Sequence, residues 1–327
     1  MAVSDNRKFR FGIMGAGNIA GKFCDAVSRI PDCEVAAVSG KSEERAARFA
    51  QENGIPASYG NYEQMLEKER LDCVYIATMP NTHFELCMLC LKHRVPVLCE
   101  KAMFQSEKQA QEAFGQARRD GIFMMEAMWS RFLPAVRQAK AWLEEGRIGN
   151  VSFAEISIGY CAPEADRKRY LDPALGGGVS FHVTVYACEL ADFLLGKPTG
   201  EAQTAAVWTP EGTDLTDHVV LPYGDALAAL TCSYGISLEE RAVLYGDCGK
   251  IVIPYPHFAS EAACFPADGG EPLRFRDETT QNGFVPEILE TMACVRAGKT
   301  ESDVVPHALT LSCAGLFDRI QMNRKII

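Results

Sequence analysis

The chain has 327 residues, 47% of them apolar and 23% charged, the composition of an ordinary globular protein long enough for two domains with sizeable cores. A formal net charge of −10, with no basic run anywhere, argues against a phosphate-backbone partner, so no nucleic acid is expected. Most of the 13 cysteines, among them Cys24, Cys73, Cys87, Cys99, Cys188 and Cys232, sit inside apolar stretches as small hydrophobes, and the odd count fits a reducing compartment. The N-terminal MAVSDNRKFR is polar and has no signal-peptide core. No stretch approaches the roughly 20 apolar residues of a membrane span, so a cytoplasmic protein with no membrane partner is expected.

Through residue 125 the pattern alternates. FGIMG, EVAAVS, DCVYIAT, VPVLCE and IFMMEA read as buried parallel strands, being short, nearly continuous and bounded by turn or charged residues. Helices lie between them, with Ser42 placed to cap EERAARFAQEN ahead of Gly54, and Ser106 to cap EKQAQEAFGQARRD ahead of Gly121. Strict alternation predicts an α/β layered domain over residues 1–125, a doubly wound parallel sheet of the Rossmann kind. Cys87 and Cys90 have the CxxC spacing of redox and zinc motifs. FELCMLCLKH reads as a helix with both on its apolar face, and no second pair at metal spacing lies nearby, so no metal is expected.

After residue 126 the alternation stops. The helical PAVRQAKAWLEEG leads into VSFAEISIGY, EAQTAAVW, DHVVLPY, ALAALTCSY, RAVLYGD and GKIVIP, which predict an α+β domain over 126–327 on a largely antiparallel open sheet, GDCG closing the last hairpin. Helices over 179–196, 284–298 and 306–322 are expected to cover one face. The other face then leaves apolar surface for a second copy of the chain. A cleft between the two domains is the expected place for a small-molecule site.

The chemistry begins in FRFGIMGAGNIAG, a GxGxxA pattern following a strand and opening a helix. Gly15 permits the tight turn, Gly17 lets the backbone approach a pyrophosphate, Ala20 keeps helix and strand close, and Asn18 and Ile19 lend N–H groups at the helix start. The next strand decides the cofactor. An acid there would bind both ribose hydroxyls, but Ser39, Gly40, Lys41 and Ser42 stand in its place, and a lysine among hydroxyls suits a 2′-phosphate; NADP is favoured and NAD stays possible. The plain alternative is a solvated loop lysine and dual cofactor use. Glu100 and Lys101 end a buried strand at the edge where ligands bind, so Lys101 reads either as a proton-transfer group or as half of a strand-end ion pair.

GAGNIA, IATMPNTH, VLCEK, MEAMWSRF and YGDCGKIVIP together resemble the Gfo/Idh/MocA family of sugar and polyol oxidoreductases, within it the branch of dihydrodiol and D-xylose dehydrogenases, over nearly the whole chain. The resemblance implies hydride transfer at a hydroxyl-bearing carbon, with Lys101 on the reacting oxygen. It also implies Thr78, His83, Glu100 and Lys101 at the cofactor and a homodimer or homotetramer. Ala102 replaces the proline of the family's Glu-Lys-Pro motif, which is expected to loosen the turn. In GGGVSFHVTVY, His182 and Thr184 stand where the family has Asp and Gly, while Tyr186 keeps the proton-transfer position. His182 then reads as a substrate contact or as a satisfied helix histidine. Trp129 and Arg131 read as a substrate wall or as core, and Tyr160, Arg167, Lys168 and Arg169 as a solvated face that could rim the pocket. Two other readings stay open: a redox-neutral sugar enzyme that retains its cofactor, and a non-catalytic NADP-binding regulatory protein.

Overall fold

The structure, a computed structural model, describes residues 7–324; residues 1–6, read above as part of a polar N-terminus, lie outside that range. The chain forms two compact units. The first contains β1 (Phe9–Met14), α1 (Asn18–Ser28), β2 (Cys33–Ser39), α2 (Glu43–Asn53), β3 (Ala57–Tyr59), α3 (Tyr62–Lys68), β4 (Cys73–Ile76), α4 (His83–Lys92), β5 (Val97–Cys99), α5 (Glu107–Asp120) and β6 (Met124–Glu126). All its strands are parallel, in the order β3-β2-β1-β4-β5-β6 of a doubly wound nucleotide-binding sheet. The apolar runs form strands because helices cover both faces: every residue of β4 is buried. As expected, Ser42 accepts a hydrogen bond from the Arg45 amide at the start of α2, and Gly54, at φ 65°, ends that helix. Cys87 and Cys90 lie on the buried side of α4.

The second unit holds α6 (Pro134–Glu144), β7 (Val151–Gly159), α7 (Glu164–Leu171), α8 (Val185–Leu195), β8 (Gln203–Trp208), β9 (Asp214–Tyr223), β10 (Ala226–Ser233), β11 (Arg241–Gly246), β12 (Gly249–Pro254), β13 (Glu261–Pro266) and β14 (Leu273–Arg276). Its eight strands run β14-β13-β12-β11-β7-β10-β9-β8, antiparallel except where β7 pairs with β10. The predicted hairpin closes where Gly246 opposes Gly249. Three short strands, β3 in the first unit and β13 and β14 in the second, escaped the sequence reading.

Two further differences bear on the site. The expected helix over 179–196 starts as a wide π-turn, Ser180–Thr184, before α8 begins. Residues 281–307, including α9 (Phe284–Arg296), belong to the first unit, while α10 (His307–Met322) lies almost wholly in the second. Pro173–Leu195 is, against the sequence expectation, long and apolar enough to cross a membrane, but it is mostly buried inside the fold, as the core helix of a globular unit is.

Candidate active site

In the first unit the loop after β1 is shaped by two glycines with different constraints. Gly15 has φ +107°, its amide donates to the Ser39 carbonyl at 2.8 Å, and a Cβ there would lie 2.8 Å from the Ala77 carbonyl oxygen. Only glycine fits. Gly17 has ordinary extended backbone, and a Cβ on it would meet no protein atom within 4 Å. The space above Gly17 is therefore open, at the start of a helix whose first amides receive no side-chain cap. Asn18 and Ile19 supply N–H groups there, and the residues fit a dinucleotide pyrophosphate.

At the end of β2 the four candidates separate. Ser39 is fully buried and serves through its carbonyl, Gly40 is buried with its amide on the Tyr59 carbonyl, and Ser42 caps α2. Lys41 is exposed. Burial thus removes Ser39 and Gly40 from direct ribose contact.

His83 also takes a different part from the one the resemblance implied. It is fully buried, with Nδ1 2.9 Å from the Ala102 carbonyl and Nε2 3.1 Å from the Thr78 carbonyl. Both ring nitrogens lie against backbone carbonyls, and the neutral ring donates to one of the two, which places His83 between the loop after β4 and the loop after β5. Burial holds its pKa down while the two carbonyls oppose that shift. Thr78 is half-buried beside Gly15, its hydroxyl accepting from Thr82 at 2.8 Å.

The loop after β5 carries Glu100 and Lys101. Burial raises the Glu100 pKa, countered by the Tyr75 hydroxyl, which donates to Oε1, and by Lys101. Tyr75 is itself stacked on Phe23 of α1 at 3.9 Å. Burial lowers the Lys101 pKa, while Glu100 and Glu126 favour its charged form. The ammonium is thus tuned from both sides, as a group that handles protons requires. The Lys101–Ala102 peptide is cis. Two contacts hold this turn: the Ala102 carbonyl meets His83, and the Met103 amide donates to Glu126 Oε1 at 2.8 Å. Nothing in the sequence singled out Glu126; its place at the end of β6, next to β5, brings it under the turn.

In the second unit, Trp129 donates from Nε1 to the Tyr186 hydroxyl at 3.0 Å. An indole N–H can only donate, so Tyr186 Oη is the acceptor and its own hydrogen is directed elsewhere. Rings gather around this pair: Phe258 lies 5.1 Å from Trp129, and His257 lies 5.5 Å from Tyr186 and 4.2 Å from Phe258. His182 is buried on the π-turn, its ring edge-on to Tyr170 at 5.5 Å, and Tyr170 stacks on Tyr234. Tyr170 on α7, Tyr234 just after β10, and the neighbours His257 and Phe258 on one short turn were missed because these three places share no spacing in the sequence. Arg131 is core: its Nε lies 3.0 Å from Glu189 Oε2, both side chains are almost fully buried, and the guanidinium sits over Phe193. That ion pair occupies the group expected at the substrate. Arg167, Lys168 and Arg169 are exposed on α7, as a solvated face would be.

Comparison with known proteins identifies the fold and the family. Residues 9–127 match the model of an oxidoreductase family with an NAD-binding Rossmann fold, and residues 136–252 match the GFO/IDH/MocA C-terminal domain. The chain is 32% identical to trans-1,2-dihydrobenzene-1,2-diol dehydrogenase of Xenopus tropicalis, over 94% of this chain and 96% of the relative. It is also 32% identical to the Mus musculus enzyme of that name, over 91% and 92%. In structure it resembles aldose-aldose oxidoreductase of Caulobacter crescentus, with a TM-score of 0.86, 19% identity and 97% coverage of each chain. A 3-ketoreductase of Actinomadura kijaniata, solved with NADP, superposes with a TM-score of 0.85 at 22% identity over 97% of this chain and 98% of the other. With both halves of the fold matched and curated relatives of this identity aligned along nearly its full length, the chain belongs to the GFO/IDH/MocA family of NAD(P)-binding oxidoreductases.

Proposed function

We propose that the protein is an NADP-preferring dehydrogenase that moves hydride between nicotinamide and a hydroxyl-bearing carbon of a cyclic diol, sugar or polyol. The observation that carries this reading is the Tyr186 hydroxyl, held by the Trp129 indole and walled by His257 and Phe258. Aromatic faces suit a ring substrate, and a phenol so placed can exchange its proton. The names of the dihydrodiol dehydrogenase relatives support the substrate class.

When bound, the nicotinamide takes up or supplies the hydride. Asn18 and Ile19 would hold the pyrophosphate, and Lys41 and Ser42 a 2′-phosphate that an aspartate there would repel. In the oxidising direction Tyr186, having lost its own hydrogen, would accept the substrate hydroxyl proton on its phenolate oxygen, and the Lys101 ammonium would stabilise the negative charge developing on the substrate oxygen. In the reducing direction Tyr186 returns the proton. Glu126 and His83 act one step back, by fixing the Lys101 turn.

Self-association is part of the same reading. Phe153 and Leu227, register partners on β7 and β10, are 37% and 48% exposed on one sheet face, which suits a second copy of the chain.

The test is a fluorescence titration of cofactor-free protein with NADPH and with NADH, followed by turnover on a panel of diols and sugars. Tighter NADPH binding with turnover is expected; binding of neither nucleotide would overturn the reading.

A further inference from the structure

Beneath the π-turn lie two buried carboxyl groups that the proposed reaction does not use. Asp214 and Asp217, both on β9, are three residues apart, and regular alternation would send them to opposite faces. The pairing with β8 skips Leu215, since Val207 opposes Thr216 and Trp208 opposes Asp214. That bulge re-aims the strand, and both aspartates turn inward, essentially free of solvent contact. Each takes one end of the turn. The Ser180 amide donates to Asp214 Oδ2 at 2.6 Å, and the Thr184 hydroxyl donates to Asp217 Oδ2 at 2.7 Å.

The remaining oxygens, Oδ1 of both, are buried and accept from no other donor among the described residues. Both partnerless oxygens turn inward from one bulged strand beneath the same five-residue turn, and a proton kept on one carboxyl would let it donate to the other. Burial raises the proton affinity of both, and the nearby Asp214 raises that of Asp217 further. From β10 the Cys232 thiol stands opposite Asp217, and from α8 Cys188 acts on Cys232; both thiols are pushed up, so neither supplies charge. The turn itself presents the Ser180 and Thr184 hydroxyls and His182. Gly178, at φ +127°, belongs to the same construction, for a Cβ there would collide with Asp214 Oδ1.

We infer that Asp214 and Asp217 share one proton beneath Ser180–Thr184, and that this pair positions His182 and Tyr186 for the reaction. The second half of the inference rests on the proposed role of Tyr186. It gives Thr184 a purpose: the glycine found there in the resembling motif has no hydroxyl to donate to Asp217. The pair are positioning residues, acting through the turn.

The test measures kcat, NADPH affinity and melting temperature against pH for the wild type, Asp217→Ala, Asp217→Asn, Thr184→Val and the double variant Asp214→Asn/Asp217→Asn. Asp217→Ala is expected to lower kcat about tenfold or more, the loss of roughly one buried charge-assisted hydrogen bond, with NADPH affinity unchanged. Asp217→Asn supplies the shared hydrogen from its amide and is expected to restore most of that loss. The double variant sets two amide groups against each other and is expected to lose it again. The wild-type melting temperature should fall as pH climbs from the unfolded carboxylate value toward the raised folded one and the shared proton is lost, and Asp217→Asn should flatten that fall. If Asp217→Ala does not fold, Thr184→Val, which removes only the donated hydroxyl, must lower kcat without weakening NADPH. Equal pH slopes in the wild type and Asp217→Asn would overturn the shared proton; unchanged kcat in both Asp217→Ala and Thr184→Val would overturn the positioning role. A wild type inactive on every substrate would instead overturn the dehydrogenase reading, and the melting slopes would still decide the shared proton.

Discussion

The loop that carries Lys101 and the turn that leads to Tyr186 solve one problem by different means. On the proposed reading each holds a side chain that serves the reaction. In the first unit the support is regular: Lys101 follows β5, and Glu126 at the end of the adjacent β6 takes the Met103 amide while His83 takes the Ala102 carbonyl. In the second unit the support is irregular. A π-turn is anchored by two aspartates from a bulged strand more than 30 residues later, and its tyrosine is held by a tryptophan 57 residues earlier. Parallel sheets place strand ends side by side, so their supports follow from topology; an open antiparallel sheet must recruit its supports case by case.

The largest effect that would sharpen this contrast is expected at Arg131. Its ion pair with Glu189 is almost fully buried, so Arg131→Met should destabilise the protein by about 3–5 kcal/mol by stranding a carboxylate, while Arg131→Met with Glu189→Met should recover much of that in chemical denaturation. A substrate-binding arginine would instead leave stability unaltered and raise KM.

Next come the two glycines of the first unit. Gly15→Ala should cost about 1–3 kcal/mol from its positive φ, with a further cost from the collision with Ala77, and should lose cofactor binding. Gly17→Ala should fold with normal stability yet bind NADPH at least about tenfold more weakly, because the methyl group would enter space that only the cofactor needs. Calorimetry paired with the titration separates the two. Unweakened binding in Gly17→Ala would remove the cradle.

These glycines also show what could be read from the sequence. The first sheet, the glycine loop, the Ser42 cap and the lysine at a strand end are local patterns of a few residues, and all of them stand in the fold. Tyr186 was found through a motif that this chain keeps only in part. His257, Phe258, Asp214, Asp217 and Glu126 could not be found in that way, because each reaches its place through a bulge, a strand neighbour or a distant loop. Arg131 and His83 looked exposed to function by position, and only burial and partners showed them tied to Glu189 and to two carbonyls. The return of residues 281–307 to the first unit likewise has no compositional mark.

That returning segment sets up a smaller effect. Glu287, on α9, is fully buried with no hydrogen-bond partner for either oxygen among the described residues, and burial, with Glu100 second, raises its pKa well above the usual carboxylate range. A raised folded pKa gives stability that is fully present below the unfolded value and is lost as pH climbs toward the folded one. Glu287→Gln should therefore remove a loss of up to about 1.4 kcal/mol per pH unit above the unfolded value, read as a melting temperature that falls less from pH 5 to pH 8. Parallel curves for the two proteins would mean the carboxyl has a partner when folded. Smallest is Lys41→Ala, expected to weaken NADPH about tenfold, or about 1.4 kcal/mol, and to leave NADH unchanged.

On the proposed reading Lys101 and Tyr186, held by such different supports, each contribute to oxidation of a hydroxyl-bearing carbon. The direct measurement is single-turnover oxidation of a panel diol or sugar, followed by nicotinamide absorbance, in the wild type, Lys101→Ala and Tyr186→Phe, with NADPH affinity measured on the same samples. Each variant should bind NADPH as the wild type does and lose about a hundredfold or more in rate. Wild-type rates in either variant would rule out that residue's proposed role.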